Sequence, residues 1–155
     1  GNFENVEFFL DEEKINPVYF YGFIDRVDRL NGNLRIIDFK TAKTKNLSIS
    51  APKKEEDEEK LEKLFFREEY KQAMQLSVYA YSVLKEEKYP DNYLQCGIWS
   101  FAEVTKGVQN LHLFGEKEIS EQLLETPMKS IKNVILDILD SQLEFVKEVK
   151  ETWGN

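Results

Sequence analysis

The chain has 155 residues, 41% of them hydrophobic and 13% aromatic, and a formal net charge of −8. That length suits one domain with a single sizeable core, and the composition excludes an intrinsically disordered polymer. The acidic balance excludes capture of nucleic acid by bulk charge, so a polyanion would need a local basic path, a metal or a partner.

No stretch approaches the roughly 18 apolar residues of a membrane span. The N-terminus lacks a basic-then-apolar leader pattern, so the expected location is cytoplasmic, with no membrane association. The lone cysteine, Cys96 in "LQCGIW", can form neither an internal disulfide nor a cysteine metal cluster, and reads as a buried strand residue.

In chain order, "NVEFFL" (residues 5–10) reads as a strand and "DEEKINP" as the turn after it. "VYFYGFIDRVDRL" (18–30) is rich in β-branched and aromatic residues. Asn31-Gly32 is a strong hairpin signal, because a type I′ turn needs positive φ at both positions, and "NLRIIDFKTA" (33–42) is the return strand. These three segments are expected to form an antiparallel meander. "KKEEDEEKLEK" (53–63) is a solvated charge run with no assigned chemistry. Apolar residues then recur at helical intervals over 58–88, predicting one long helix. "YLQCGIWSFAEV" (93–104) and "GVQNLHLFG" (107–115) predict a second hairpin around "TKG". A second long helix runs from about Ser120, clearly from Met128 to Trp153. The expected fold is α/β (α+β): a central mixed sheet containing an antiparallel meander, flanked by helices.

Two aspartates interrupt strand-like sequence, where aspartate fits poorly. If Asn31 and Gly32 are the turn residues, Leu30 faces Asn33, Asp28 faces Arg35, and Asp25 faces Asp38. Alternation along the strand then places Lys40 on the same side as Asp38. Opposed like charges destabilise a strand pair, and a hard divalent cation with oxygen ligands would offset that. The plain alternatives are a strand edge in water or a simple Lys40–Asp38 pair. A turn centred on Gly32 and Asn33 would instead oppose Asp25 to Lys40, with all three groups still on one face.

The stretch "GFIDRVDRLNGNLRIIDFKTAK" resembles the nuclease motif of the PD-(D/E)XK superfamily, in particular its RecB/AddB-type helicase-nuclease branch. That branch has a pattern close to G-x-x-D-R-x-D, a short loop, then D-Y-K-T-G. Gly22, Asp25, Arg26 and Asp28 match the first part, and Asp38, Lys40 and Thr41 the second. Gln75 and Tyr79 in "AMQLSVYAY" match its Q-x-x-x-Y signature. Ala42 stands where Gly is usual, and Phe39 where Tyr is frequent.

The resemblance implies a restriction-endonuclease-like core and a magnesium-dependent deoxyribonuclease, manganese serving in magnesium's place. Asp25, Asp38 and the backbone carbonyl of Phe39 would hold the metal. Lys40 would orient the attacking water or stabilise charge on the phosphate, and Gln75 and Tyr79 would shape the site and contact the DNA backbone. It further implies DNA as partner, a helicase domain in the same natural chain, a helicase-nuclease partner subunit and a role in recombinational repair. Residues 1–155 would be one nuclease-like domain of a larger protein, lacking the branch's upstream helix with its His or Glu ligand. A single cysteine leaves no iron-sulfur cluster within the chain. Glu7 is similar to a first-strand glutamate of relatives, and His112 reads as structural. Lys43, Lys45, Lys53 and Lys54 lie just beyond the motif and could contact phosphates, the plainer reading being scattered solvated lysines. The retained carboxylates and lysine favour an enzyme over a catalytically inactive module that binds DNA or a partner subunit, and over an unrelated α+β binding domain.

Overall fold

In the computed structural model of the chain, which describes residues 2–11, 14, 17–54 and 56–153, the first two strands pair with each other. β1 (Asn2–Phe9) and β2 (Pro17–Phe23) are antiparallel, with Phe3 opposite Gly22. Phe3, Val6 and Phe8 point into the core. Four residues of the expected connecting turn, 12, 13, 15 and 16, lie outside the described residues.

The expected meander is corrected at its second strand. Residues 18–30 are not continuous: β2 stops at Phe23, and β3 (Arg26–Leu30) starts a different sheet. Ile24 turns into the core at 1% exposure, whereas Asp25 is exposed. The chain leaves the β1 ladder at Phe23 and enters the β4 ladder at Arg26, so Ile24 and Asp25 form a two-residue link between the two sheets.

The Asn-Gly turn behaves as its dipeptide dictates. Asn31 and Gly32 have φ of 52° and 83° and join β3 to β4 (Asn33–Lys40), with Leu30 opposite Asn33, Asp28 opposite Arg35 and Arg26 opposite Ile37. This is the expected register as far as Arg26 and Ile37; the expected opposition of Asp25 to Asp38 is not part of the ladder, because β3 begins only at Arg26. β4 then pairs in parallel with β6 (Tyr93–Ser100), setting Asp38 beside Ile98 and Lys40 beside Ser100. A two-residue strand absent from the expected elements, β5 (Ser48–Ile49), lies just before the charge run. On β6, Cys96 is fully buried, which pushes its thiol up to about 12.

The expected strand 93–104 ends at Ser100, where the chain enters a 3-10 turn, Phe101–Lys106. The Ser100 hydroxyl donates to the Ala42 carbonyl at 2.6 Å and accepts the Ala102 N–H at 3.2 Å, so its side chain takes up backbone groups where the strand ends. The expected strand 107–115 is two pieces: β7 (Val108–Asn110) pairs with β6, while β8 (His112–Leu113) pairs with β5. Buried Leu111 separates them. β9 (Ile119–Ser120) adds a short antiparallel contact to the start of β6.

The single helix expected over 58–88 is also corrected. α1 (Glu56–Leu64) and α2 (Lys71–Leu84) are separated by a 3-10 turn, Glu68–Tyr70. No Gly or Pro marks the break. It is made by i→i−3 bonds, Phe66 N–H to the Lys63 carbonyl and Arg67 N–H to the Leu64 carbonyl, while Phe65 drops into the core at 1% exposure. α2 packs on the sheet and against α3 (Glu121–Trp153), and α1 also meets α3, through Glu62 with Lys129 and Asn133. The 33 residues of α3 give it a length of about 50 Å, and the apolar positions 143, 146 and 149 of its expected stripe lie outside the described side chains. No helix among the described residues is long and apolar enough to cross a membrane.

Alternation divides the central sheet into two faces. Leu34, Ile36 and Asp38 of β4 and Leu94, Cys96, Ile98 and Ser100 of β6 are all buried, on the side where α2 contributes Ala73, Leu76, Ala80 and Val83 to the core. Arg35, Ile37 and Phe39, with Trp99 beside Phe39, project to the other side.

Candidate active site

The β3–β4 ladder ends at Arg26 and Ile37. Beyond it, the Asp25 side chain takes over the role of a strand neighbour: its Oδ2 accepts the Phe39 N–H at 2.8 Å. N–H and C=O of one strand residue project to the same flank, so the Phe39 carbonyl faces the Asp25 side as well. Asp38, one position earlier on β4, points to the α2 face and is only 5% exposed.

Burial lifts the Asp38 carboxyl above the usual aspartate range; Lys40 opposes that shift, and the neighbouring Asp25 carboxylate adds to it. The Lys40 Nζ lies 3.0 Å from Asp38 Oδ2. The contact has the distance of an ion pair but not the angles of a hydrogen bond, leaving that buried oxygen without a hydrogen-bond donor among the described residues.

From Lys40 a chain of hydrogen bonds runs onto α2. Lys40 Nζ donates to Gln75 Oε1 at 3.0 Å, and Gln75 Nε2 donates to the Tyr79 hydroxyl oxygen at 2.9 Å. An ammonium only donates, which sets the Gln75 amide orientation. Burial raises the Tyr79 hydroxyl above the ordinary phenol value, the first of several influences on it, so it keeps its proton at neutral pH. With its oxygen occupied by Gln75, that proton is left to donate elsewhere.

Asp25, Asp38, Lys40, Gln75 and Tyr79 are therefore brought together at the C-terminal end of β4, with the Phe39 backbone on the same edge. Gln72, one turn before Gln75, does something different: its Oε1 accepts the Lys45 N–H at 2.7 Å and ties down the loop after β4. Asp28 sits on the opposite face, held below the usual carboxylate range first by Arg35, at 2.6 and 3.0 Å, and then by Arg26. His112 is remote in register from this edge; its ring Nδ1 lies 3.1 Å from the Asn110 carbonyl.

Three supports of the site escape sequence reasoning. Phe3 packs edge-on against the Tyr79 ring, centroids 5.9 Å apart. Ser100 and Glu103 hold the loop after Lys40, Ser100 through the Ala42 carbonyl and Glu103 by accepting the Thr44 N–H at 2.8 Å. The one available signal was Gly22, since a Cβ there would lie 2.7 Å from the Phe3 ring. Gly22→Ala is expected to destabilise the chain by about 1–3 kcal/mol through overpacking. Chemical denaturation measures this, and Phe3→Leu is expected to recover part of the loss in the double variant.

Among the described residues, no group of three or more His, Cys, Asp or Glu side chains gathers to hold a metal. Two carboxylates and a main-chain carbonyl remain, with one buried carboxylate oxygen lacking a donor. That donor set is all oxygen and fits magnesium, which retains several waters and is commonly bound through one or two carboxylates and substrate phosphate.

The model of one protein family, the PD-(D/E)XK nuclease superfamily, matches residues 2–150. The chain belongs to the PD-(D/E)XK nuclease superfamily. The mixed α/β fold, a multi-strand sheet flanked by helices, agrees with the restriction-endonuclease-like fold of that superfamily. Nuclease superfamily membership makes nuclease activity, DNA as substrate and divalent metal as cofactor the general expectation for its members. No curated protein and no solved structure matches the chain.

Proposed function

We propose that this PD-(D/E)XK chain is a divalent-metal-dependent deoxyribonuclease of the RecB/AddB type, hydrolysing phosphodiester bonds exonucleolytically in recombinational repair. The observation that supports it most is the meeting of Asp25 and Asp38 at one strand edge, with the buried Asp38 Oδ2 lacking a donor and Lys40 beside it.

Asp25, Asp38 and the Phe39 carbonyl would hold magnesium, or manganese in its place. When bound, the cation supplies charge neutralisation at the phosphate and acidifies water. The protein's own groups do the rest. Lys40 gives one N–H to Gln75 and has others to offer to a phosphoryl oxygen or to the attacking water. Tyr79, protonated and oriented by Gln75, donates to a non-bridging phosphate oxygen. Gln75 thereby keeps both donors at fixed positions. Hydrolysis leaves a phosphate on one strand end and a hydroxyl on the other.

In this reading residues 1–155 act as one nuclease domain, with a helicase domain of the same natural chain and a partner subunit delivering the strand in the cytoplasm. A net charge of −8 suits a domain that is handed its substrate.

Calorimetric titration of manganese into the parent chain and into Asp25→Asn, alongside DNA cleavage, tests the proposal. Binding and cleavage are expected in the parent, and loss of both in Asp25→Asn. Equal binding by the two proteins would remove Asp25 from the metal site. Absence of site-dependent binding and cleavage would leave a nuclease-like binding module.

A further inference from the structure

The face of the sheet turned away from Asp38 carries a cluster of rings that the proposed chemistry does not use. The Phe39 ring lies 6.1 Å from that of Phe101 at an interplanar angle of 26°, a stacked pair, and 6.2 Å from that of Trp99 at 57°. Phe101 is 59% exposed, although an apolar ring of this size is ordinarily covered. The cluster adjoins the candidate site through the backbone on both strands: the Phe39 N–H is the donor to Asp25, and Phe101 follows Ser100, which pairs with Lys40.

Its surroundings suit a polyanion. On the same face Arg26 and Arg35 both bond to the carboxylate of Asp28, and Glu118 lies further along, beside Gln95 and away from the rings; the Arg26 side chain is half exposed. Lys43 is exposed on the loop that leaves β4. Glu103, the acidic residue on the Phe101 turn, is neutralised by Lys106 and accepts the Thr44 N–H. In a chain with a net charge of −8, an outward ring with the exposed cations Arg26 and Lys43 on neighbouring elements is where an anionic strand with aromatic bases would lie.

We infer that Phe101, backed by Phe39, is a stacking platform for one unpaired base of the DNA strand whose phosphate occupies the Asp25–Lys40 edge. This rests on the nuclease reading above. Base–aromatic stacking tolerates any sequence because every base has a π face, and it requires an unpaired base because a duplex already covers both faces. The platform therefore holds the nucleotide next to the scissile bond without selecting its identity, and rewards a strand already opened.

The test uses the full natural chain with single-stranded oligonucleotides carrying 2-aminopurine, or an abasic residue, at successive positions, and reads binding in EDTA so that turnover does not intervene. The parent is expected to quench 2-aminopurine at one position. Phe101→Trp should keep that quench; Phe101→Ala and Phe101→Leu should lose it and weaken binding about tenfold. An abasic residue at that position should weaken the parent as much as Phe101→Ala does, and should not weaken Phe101→Ala further. A Leu variant equal to the parent, effects that multiply, or no position-specific quench would each overturn the inference, leaving the rings as a face for protein packing. Magnesium-dependent cleavage of the same oligonucleotides is measured in parallel. Cleavage by the parent with binding unaffected by Phe101→Ala overturns the platform alone, whereas quench without cleavage supports the platform and overturns the nuclease reading alone.

Discussion

Asp38→Asn is expected to lose metal-dependent DNA cleavage by at least about a thousandfold and yet to be no less stable than the parent chain when metal is chelated. The two halves have one cause. Asp38 is a buried carboxylate whose charged form is disfavoured by desolvation and by Asp25 more than Lys40 favours it, which is why its carboxyl is held above the ordinary value. A group raised in this way binds its proton more tightly in the native state than in the unfolded one, so native stability falls as pH rises past the unfolded value of about 4 and the group ionises. Asparagine has the same outline and no charge, and at pH 7 it escapes that cost. Lys40, about a third exposed and bonded to Gln75, keeps solvation and a partner when the carboxylate is gone. Cleavage rates, denaturant midpoints in EDTA and the rise in Tm on adding manganese are the measurements. The parent is expected to gain Tm with manganese and the variant to gain none. A clear loss of stability in EDTA would mark Asp38 as a structural partner of Lys40, and surviving cleavage would remove it from the site.

Lys40→Met is expected to lower kcat by roughly a thousandfold while leaving manganese affinity intact. The ammonium is the junction between the sheet and α2, 3.0 Å from both Asp38 Oδ2 and Gln75 Oε1. Removing it takes away donors that face the substrate and leaves Gln75 Oε1 without its partner, but touches none of the proposed ligands. Lys40→Arg is not expected to restore activity, because a planar fork cannot occupy the same point between two oxygens. Calorimetry of manganese binding beside single-turnover cleavage separates this behaviour from that of Asp38→Asn: one variant should keep the metal and lose the rate, the other lose both. Loss of manganese binding in Lys40→Met would reassign the lysine to holding the carboxylates in place, and a retained rate would show that it only balances their charge.

Much of the candidate site was legible because its parts are local. The Asn31-Gly32 turn leaves little freedom in how the strands flanking it pair, so the opposition of Asp28 to Arg35 follows from counting, and the two-residue repeat puts Lys40 beside Asp38. The i, i+4 spacing of Gln75 and Tyr79 likewise carries over into a direct hydrogen bond. Reading fails where a residue's neighbour is far away in the chain. No Gly or Pro ends the helix between Leu64 and Lys71; the burial of Phe65 and the packing of α2, beyond the α3 contact it shares with α1, on the sheet do. Ile24 and Asp25 look like ordinary members of one strand until the core claims the first and the Phe39 N–H the second.

By itself, the sequence determined the hairpin, the side of the strand on which Asp38 and Lys40 stand, and the shared helix face of Gln75 and Tyr79, since each follows from backbone periods, while the structure decided between the two possible turns. Only the tertiary structure decided that β4 lies parallel to β6, that α2 rests against the face bearing Asp38 and Lys40, and that Lys40 reaches Gln75, which stands 35 positions away in the chain. It also decided that Phe3 sits under Tyr79 in the space Gly22 leaves open, and that Phe39, Trp99 and Phe101 gather beyond the strand edge. Periodicity assigns a side chain to a face, whereas the identity of what covers that face depends on how distant segments share the burial of one core.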